Sequence, residues 1–99
     1  MARVVVAPGA VDDLAALIRT HSLPDDTRER VRRSSVNPLR RFPLLGAQLE
    51  GRWSTYRFVL GPWRWMIIVY AYDAEADEVH VVAVEDGRSL RAVSRGQPW

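Results

Sequence analysis

Gly61-Pro62 interrupts a stretch rich in aromatic, β-branched and arginine residues, Leu49 to Arg64, and divides it into segments that can pair across a turn. Glycine takes turn geometry at little steric cost, and proline has no N–H to give to a ladder, so strand pairing must stop there. The flanking residues favour extended backbone, which predicts an antiparallel β-hairpin. Every other element has to be arranged around it.

Upstream, Arg3 to Ala7 reads as a short strand stopped by Pro8-Gly9. Val11, Leu14, Ala15, Leu17 and Ile18 then recur at three- and four-residue spacing, with Asp12 and Asp13 in a first turn where the helix dipole favours negative charge. This helix is expected to end near His21. Asp25 is expected to cap a second helix running to about Val36, because Asn37-Pro38 disfavours helical backbone at Asn37. Its apolar face is thin, with Val31, Val36 and Leu39 as members. Phe42 to Gly51 reads as an irregular connection into a strand from about Arg52 to Leu60. A second strand follows from Trp63 to Tyr72, Asp73 to Asp77 turns the chain, and Glu78 to Val84 alternates as a third. Asp86-Gly87 ends the sheet, and Arg88 onward is a short polar tail.

The order strand, helix, helix, strand, strand, strand implies an α+β fold in which a helical hairpin covers one face of an antiparallel meander. Tyr56, Phe58 and Leu60 fall on one side of their strand, Arg57 and Val59 on the other, and Arg64 on the side of Met66 and Ile68. The pattern leaves open which side meets the helices.

The chain of 99 residues suits a single domain with one core, and 47% hydrophobic against 26% charged residues is the mix of a folded globular protein. No cysteine is present, which excludes disulfides, thiolate catalysis and the usual zinc-finger ligand sets. His21 and His80 have no metal-ligand spacing. The longest apolar run, Trp65 to Tyr72, is too short to span a bilayer, so a soluble cytoplasmic protein without metal or cofactor is expected. All 14 basic residues are arginines, on a net charge of only +2. Codon bias accounts for such a preference, yet guanidinium groups are also permanently ionised forks matched to phosphate oxygens.

Several pieces of this sequence resemble the RelE/ParE superfamily of small bacterial toxins. They are Asn37-Pro38-Leu39, Pro43 to Gly51, Trp53 to Arg57, Gly61-Pro62-Trp63-Arg64 and Val84 to Arg88, in familiar order and spacing over nearly the whole chain. The resemblance implies a RelE/ParE-like fold over residues 1–99, with 89–99 as tail, and a role as toxin of a type II toxin–antitoxin pair. In RelE-like members, basic residues on the curved sheet promote metal-independent cleavage of messenger RNA in the ribosome. Carried over, Arg57 holds the first basic position, Arg64 stands near the third-strand arginine, and Arg88 matches the arginine after the last strand. This sequence has Val59 where another basic residue is common, Met66 at the third-strand arginine in an ungapped comparison, and no tyrosine among residues 89–99. ParE-like members share the fold and inhibit DNA gyrase, which is the alternative, and a degenerate member that only binds its antitoxin is a third.

The same residues have plainer readings. Arg57 or Arg88 can pair with Glu85 or Asp86, and Arg28, Arg30, Arg32, Arg33, Arg40 and Arg41 read as a solvated helix face diluted by Asp25, Asp26 and Glu29. His80 is a candidate for the missing general base, though a structural role is the commoner one. Trp53, Trp63, Trp65, Tyr70 and Tyr72 can stack on bases, fill the core or lie under a partner chain. An apolar patch beside the hairpin would suit an antitoxin's extended, acidic and hydrophobic segment.

Overall fold

A computed structural model describes residues 1–88 of the chain. The predicted tail, 89–99, lies outside the described residues.

Strand β1 (Arg3–Val6) leads directly into helix α1 (Pro8–Thr20). Pro8-Gly9 ends the strand as expected but also opens the helix. Proline at the first helical position has its φ already set, and lacks only a donor that would have no partner there. α1 closes in a Schellman turn: Ser22 takes a left-handed φ of 51°, its N–H reaches the Arg19 carbonyl at 3.4 Å, and Leu23 N–H reaches the Ile18 carbonyl at 3.0 Å. His21 is thereby fixed at the helix end.

The second helix is shorter than predicted and does not stop where predicted. α2 (Thr27–Val31) runs into a wider π turn over Arg32–Val36 and then into α3 (Pro38–Arg41). Asp25 does not cap it; Asp26 stands at the cap without a side-chain bond, and the Thr27 hydroxyl donates instead to the Pro24 carbonyl at 2.6 Å. Asn37 stays helical at φ −58°, ψ −39° despite the following proline. A proline ring collides with the carbonyl four residues earlier in an ordinary helix. The π turn relieves this by letting Asn37 N–H bond the Arg32 carbonyl, one residue further back, at 2.8 Å. Val31, Val36 and Leu39 are buried along this segment, as the sequence indicated.

The described sheet has the order β1-β5-β4-β3-β2, with β2 (Ala47–Gln48), β3 (Arg57–Leu60), β4 (Met66–Asp73) and β5 (Glu78–Asp86). β1 pairs parallel with β5 and the other neighbours pair antiparallel. The α+β architecture, helices on one face of an open sheet, is the one the sequence implied. β2 lies inside the stretch read as irregular. β3 starts later than Arg52, because Gly51 has φ +63° and begins a tight turn, Gly51–Trp53.

Cross-strand register decides the open question of facing. Arg57 sits opposite Tyr70 and Val59 opposite Ile68, so these share one side of the sheet. Met66, Ile68 and Tyr70 are fully buried and cluster with Val79, Val81, Val84, Leu39 and Ala10. The Arg57 side therefore faces the helices, and Phe58 and Leu60 face away. Each such buried side chain contributes roughly 1.5–3 kcal/mol, and the Ser35 hydroxyl ties the helical layer to β3 through the Leu60 carbonyl at 2.9 Å.

Candidate functional site

Three chain segments meet at one end of the sheet: the turn between β3 and β4, the end of β5, and the end of α1. The turn is closed by Gly61 N–H to the Met66 carbonyl at 2.8 Å and Met66 N–H to the Trp63 carbonyl at 3.0 Å. A Cβ on Gly61 would lie 2.5 Å from the Met66 sulfur, so this tight passage needs glycine. Gly87 N–H bonds the Trp65 carbonyl and fastens the end of β5 to the same turn.

On this frame the aromatic rings form a tier. His21 stacks on Trp65 with centroids 4.2 Å apart and planes 29° apart, Trp65 lies 6.3 Å from Trp63, and the Arg30 guanidinium stands 4.9 Å over Trp63. Offset stacking and cation–π attraction each contribute roughly 0.5–1.5 kcal/mol. Arg64, between the two tryptophans, is exposed.

Asp86 ties the tier to the last described residue. Its Oδ1 accepts from the Arg88 N–H at 2.9 Å and from Arg88 Nε at 3.2 Å, and its Oδ2 accepts from Nη2 at 3.0 Å. His21 Nε2 lies 3.2 Å from the same Oδ2. The Arg88 side chain and backbone hold the Asp86 carboxyl down to about 2, with the His21 side adding a smaller pull. The Arg88 side chain remains 70% exposed. Nε and Nη2 face Asp86, and exposure leaves the other edge of the guanidinium open to a further anionic acceptor.

Neighbouring Glu85 behaves oppositely: burial, and then the Asp13 charge, push its carboxyl above the usual range. Asp13 itself accepts the Val84 N–H at 3.1 Å, satisfying a donor on β5 beyond the reach of β1.

Of the sequence-derived site residues, Arg64 and Arg88 come together at this end of the molecule. Arg57 does not join them. It lies three residues back along β3 from Leu60, about 10 Å, and its Nη1 donates to the Gly46 carbonyl at 2.9 Å and the Leu44 carbonyl at 3.4 Å. The same loop is held by Gly46 N–H donating to the buried Tyr70 hydroxyl at 2.8 Å. Burial raises the Tyr70 phenol, with the Gly46 bond and the Arg57 charge acting against it. Arg57 thus fastens the 42–46 loop to the sheet. Met66, at the third-strand position, is fully buried, and Val59 packs on the core.

His80 is also elsewhere. Its Nε2 lies 3.2 Å from Glu78 Oε1, roughly 20 Å along β5 from Asp86. The histidine that stands beside the arginines is His21, which sequence reasoning passed over. Nothing in local spacing links a helix-end residue to a strand end so distant in the chain. Among the described residues, no three His, Cys, Asp or Glu side chains converge as a metal centre would require.

No protein-family model and no curated protein matches this sequence. Solved structures do. The toxin–antitoxin complex RelBE2 from Mycobacterium tuberculosis matches at 22% identity over 86% of this chain and 96% of its own, with a TM-score of 0.65. A copper-bound mutant toxin from Helicobacter pylori matches at 19% identity over 91% and 99%, TM-score 0.68. The isolated RelE toxin of E. coli matches at 17% identity over 98% and 100%, TM-score 0.63.

Proposed function

We propose that this chain, which has the fold of the RelE toxins, is the toxin of a type II toxin–antitoxin pair and cleaves ribosome-bound messenger RNA without a metal ion. The observation that carries this reading is the end-of-sheet cluster, where exposed Arg64, in the β3–β4 turn, and exposed Arg88, just past β5, are brought to the same end of the sheet by the pairing of Met66 with Asp86. Attack of a ribose 2′-hydroxyl on phosphorus builds charge on the non-bridging oxygens. Guanidinium forks stabilise that charge. Arg57 contributes by fixing the loop beside the sheet.

Purified toxin, free of antitoxin, is expected to cut messenger RNA on translating ribosomes in the presence of EDTA. Arg64→Ala and Arg88→Ala should each slow cutting by roughly 10²-fold in protein that still folds, as circular dichroism reads, since removing one donor to a developing oxyanion typically costs that much. Normal cutting by both variants would refute the assignment.

A specific observation favours a second reading. Met66 and Val59 are core residues and Arg57 is engaged with backbone carbonyls, so three positions on the sheet itself present no free cation. A ParE-like inhibitor of DNA gyrase needs none there, and predicts loss of supercoiling activity with no RNA cleavage. A chain that only binds its antitoxin predicts no growth arrest on expression.

An antitoxin site over Phe42, Leu44, Leu45, Trp53 and Leu60 is supported by the exposure of these apolar residues, with Arg40, Arg41 and Arg52 nearby in sequence. An acidic, hydrophobic peptide matches both features. No helix among the described residues is long and apolar enough to cross a membrane, and cytoplasmic action follows from the proposed target.

A further inference from the structure

Cleavage through a 2′-hydroxyl needs a proton acceptor, and arginine, which stays protonated far above neutral pH, is a poor one. An imidazole stands beside the arginines. We propose that His21 is that acceptor, with Asp86 as its positioning residue, an inference that rests on the endoribonuclease reading.

Four observations converge on it. The Schellman turn fixes His21 at the end of α1, and the Trp65 ring holds the imidazole flat at 4.2 Å. Nε2 lies 3.2 Å from Asp86 Oδ2. Nδ1 makes no hydrogen bond to another described residue, which leaves it available to accept a proton. The side chain is 23% exposed, open enough for a substrate atom and sheltered enough to stay oriented.

Asp86 also receives Arg88, so one carboxylate stands beside both the base and the cation that meets the phosphate. In the step, the 2′-hydroxyl proton passes to Nδ1 as O2′ bonds to phosphorus and the bond from phosphorus to O5′ breaks. The products are a 2′,3′-cyclic phosphate and a 5′-hydroxyl. The departing oxygen takes its proton from water or from the new imidazolium, and no oxidant or metal is consumed. The carboxylate beside the ring stabilises the imidazolium formed on the way, the role an acidic partner plays for a catalytic histidine.

A merely structural His21 would tether α1 to β5 and nothing more, and chemical rescue separates the two roles. His21→Gly leaves a slot against Trp65 that free imidazole can enter. Cutting of messenger RNA on ribosomes should fall by roughly 10²- to 10⁴-fold in His21→Gly, and recover by about tenfold or more with added imidazole. His80→Gln should cut at the wild-type rate. Should the glycine variant fail to fold, His21→Gln replaces it: a lower kcat at unchanged KM supports the role, and an unchanged kcat overturns it. A wild-type protein that cuts while His21→Gly cuts equally, or loses cutting with no response to imidazole, overturns the role of His21 alone. A wild-type protein that leaves messenger RNA intact overturns the endoribonuclease reading and the role of His21 with it.

Discussion

Two adjacent carboxylates, Glu85 and Asp86, respond to folding in opposite directions, and this gives the molecule a distinctive pH signature. Asp86 is held at about 2, below its ordinary 3.8, by Arg88 and His21. A lowered carboxylate stabilises the fold above its unfolded pKa, and that contribution disappears as pH falls from about 4 towards 2. Asp86→Asn should therefore lower the melting temperature at pH 7, with the deficit vanishing near pH 2. Glu85 is raised by burial and by Asp13, so its ionised form opposes folding at neutral pH. Glu85→Gln should raise the melting temperature at pH 7, and the gain should disappear below about pH 4. Thermal melts of both variants across this range test the signs. At the same scale, Gly61→Ala forces a methyl to within 2.5 Å of the Met66 sulfur and should cost about 1–3 kcal/mol in urea unfolding.

The elements divide sharply into those a pattern reveals and those it hides. The π turn exists to let the chain pass Pro38, so Pro38→Ala is expected to regularise it to α-helix. The Asn37 amide bond to the Arg32 carbonyl should then shift to Arg33, visible as changed hydrogen-exchange and chemical shifts over 32–41. The sequence reading took Asn37-Pro38 for an end because proline's steric cost is local and its remedy is not. The hairpin, the strands β4 and β5 and helix α1 were legible, since Met66, Ile68 and Tyr70, or Val11, Leu14 and Ile18, repeat at the period of their element. β2 was not: two exposed residues, Ala47 and Gln48, carry no period. The His21–Asp86 pair was hidden for another reason. It depends on where the end of α1 lands relative to β5, and that is decided by packing. Arg57 shows the same limit, because strand alternation gave its side correctly but left open whether that side faced helices or solvent.

At the scale of the whole molecule, β1 is the strand made first, yet its neighbour β5 is the last strand of the described sheet. Parallel pairing across so long an intervening stretch closes a large loop, and such contacts form late and slowly. The β3–β4 and β4–β5 hairpins can assemble from local contacts alone, leaving Val4 to dock on Val79 only afterwards. Val4→Ala should accordingly speed unfolding and leave the refolding rate nearly unchanged, a φ-value near zero in stopped-flow chevrons. During translation, the opening residues must wait, unpaired, until β5 has emerged, and the α1 end that carries His21 cannot meet Asp86 before then. The end of the sheet where these segments meet is therefore the last part of the molecule that synthesis can complete.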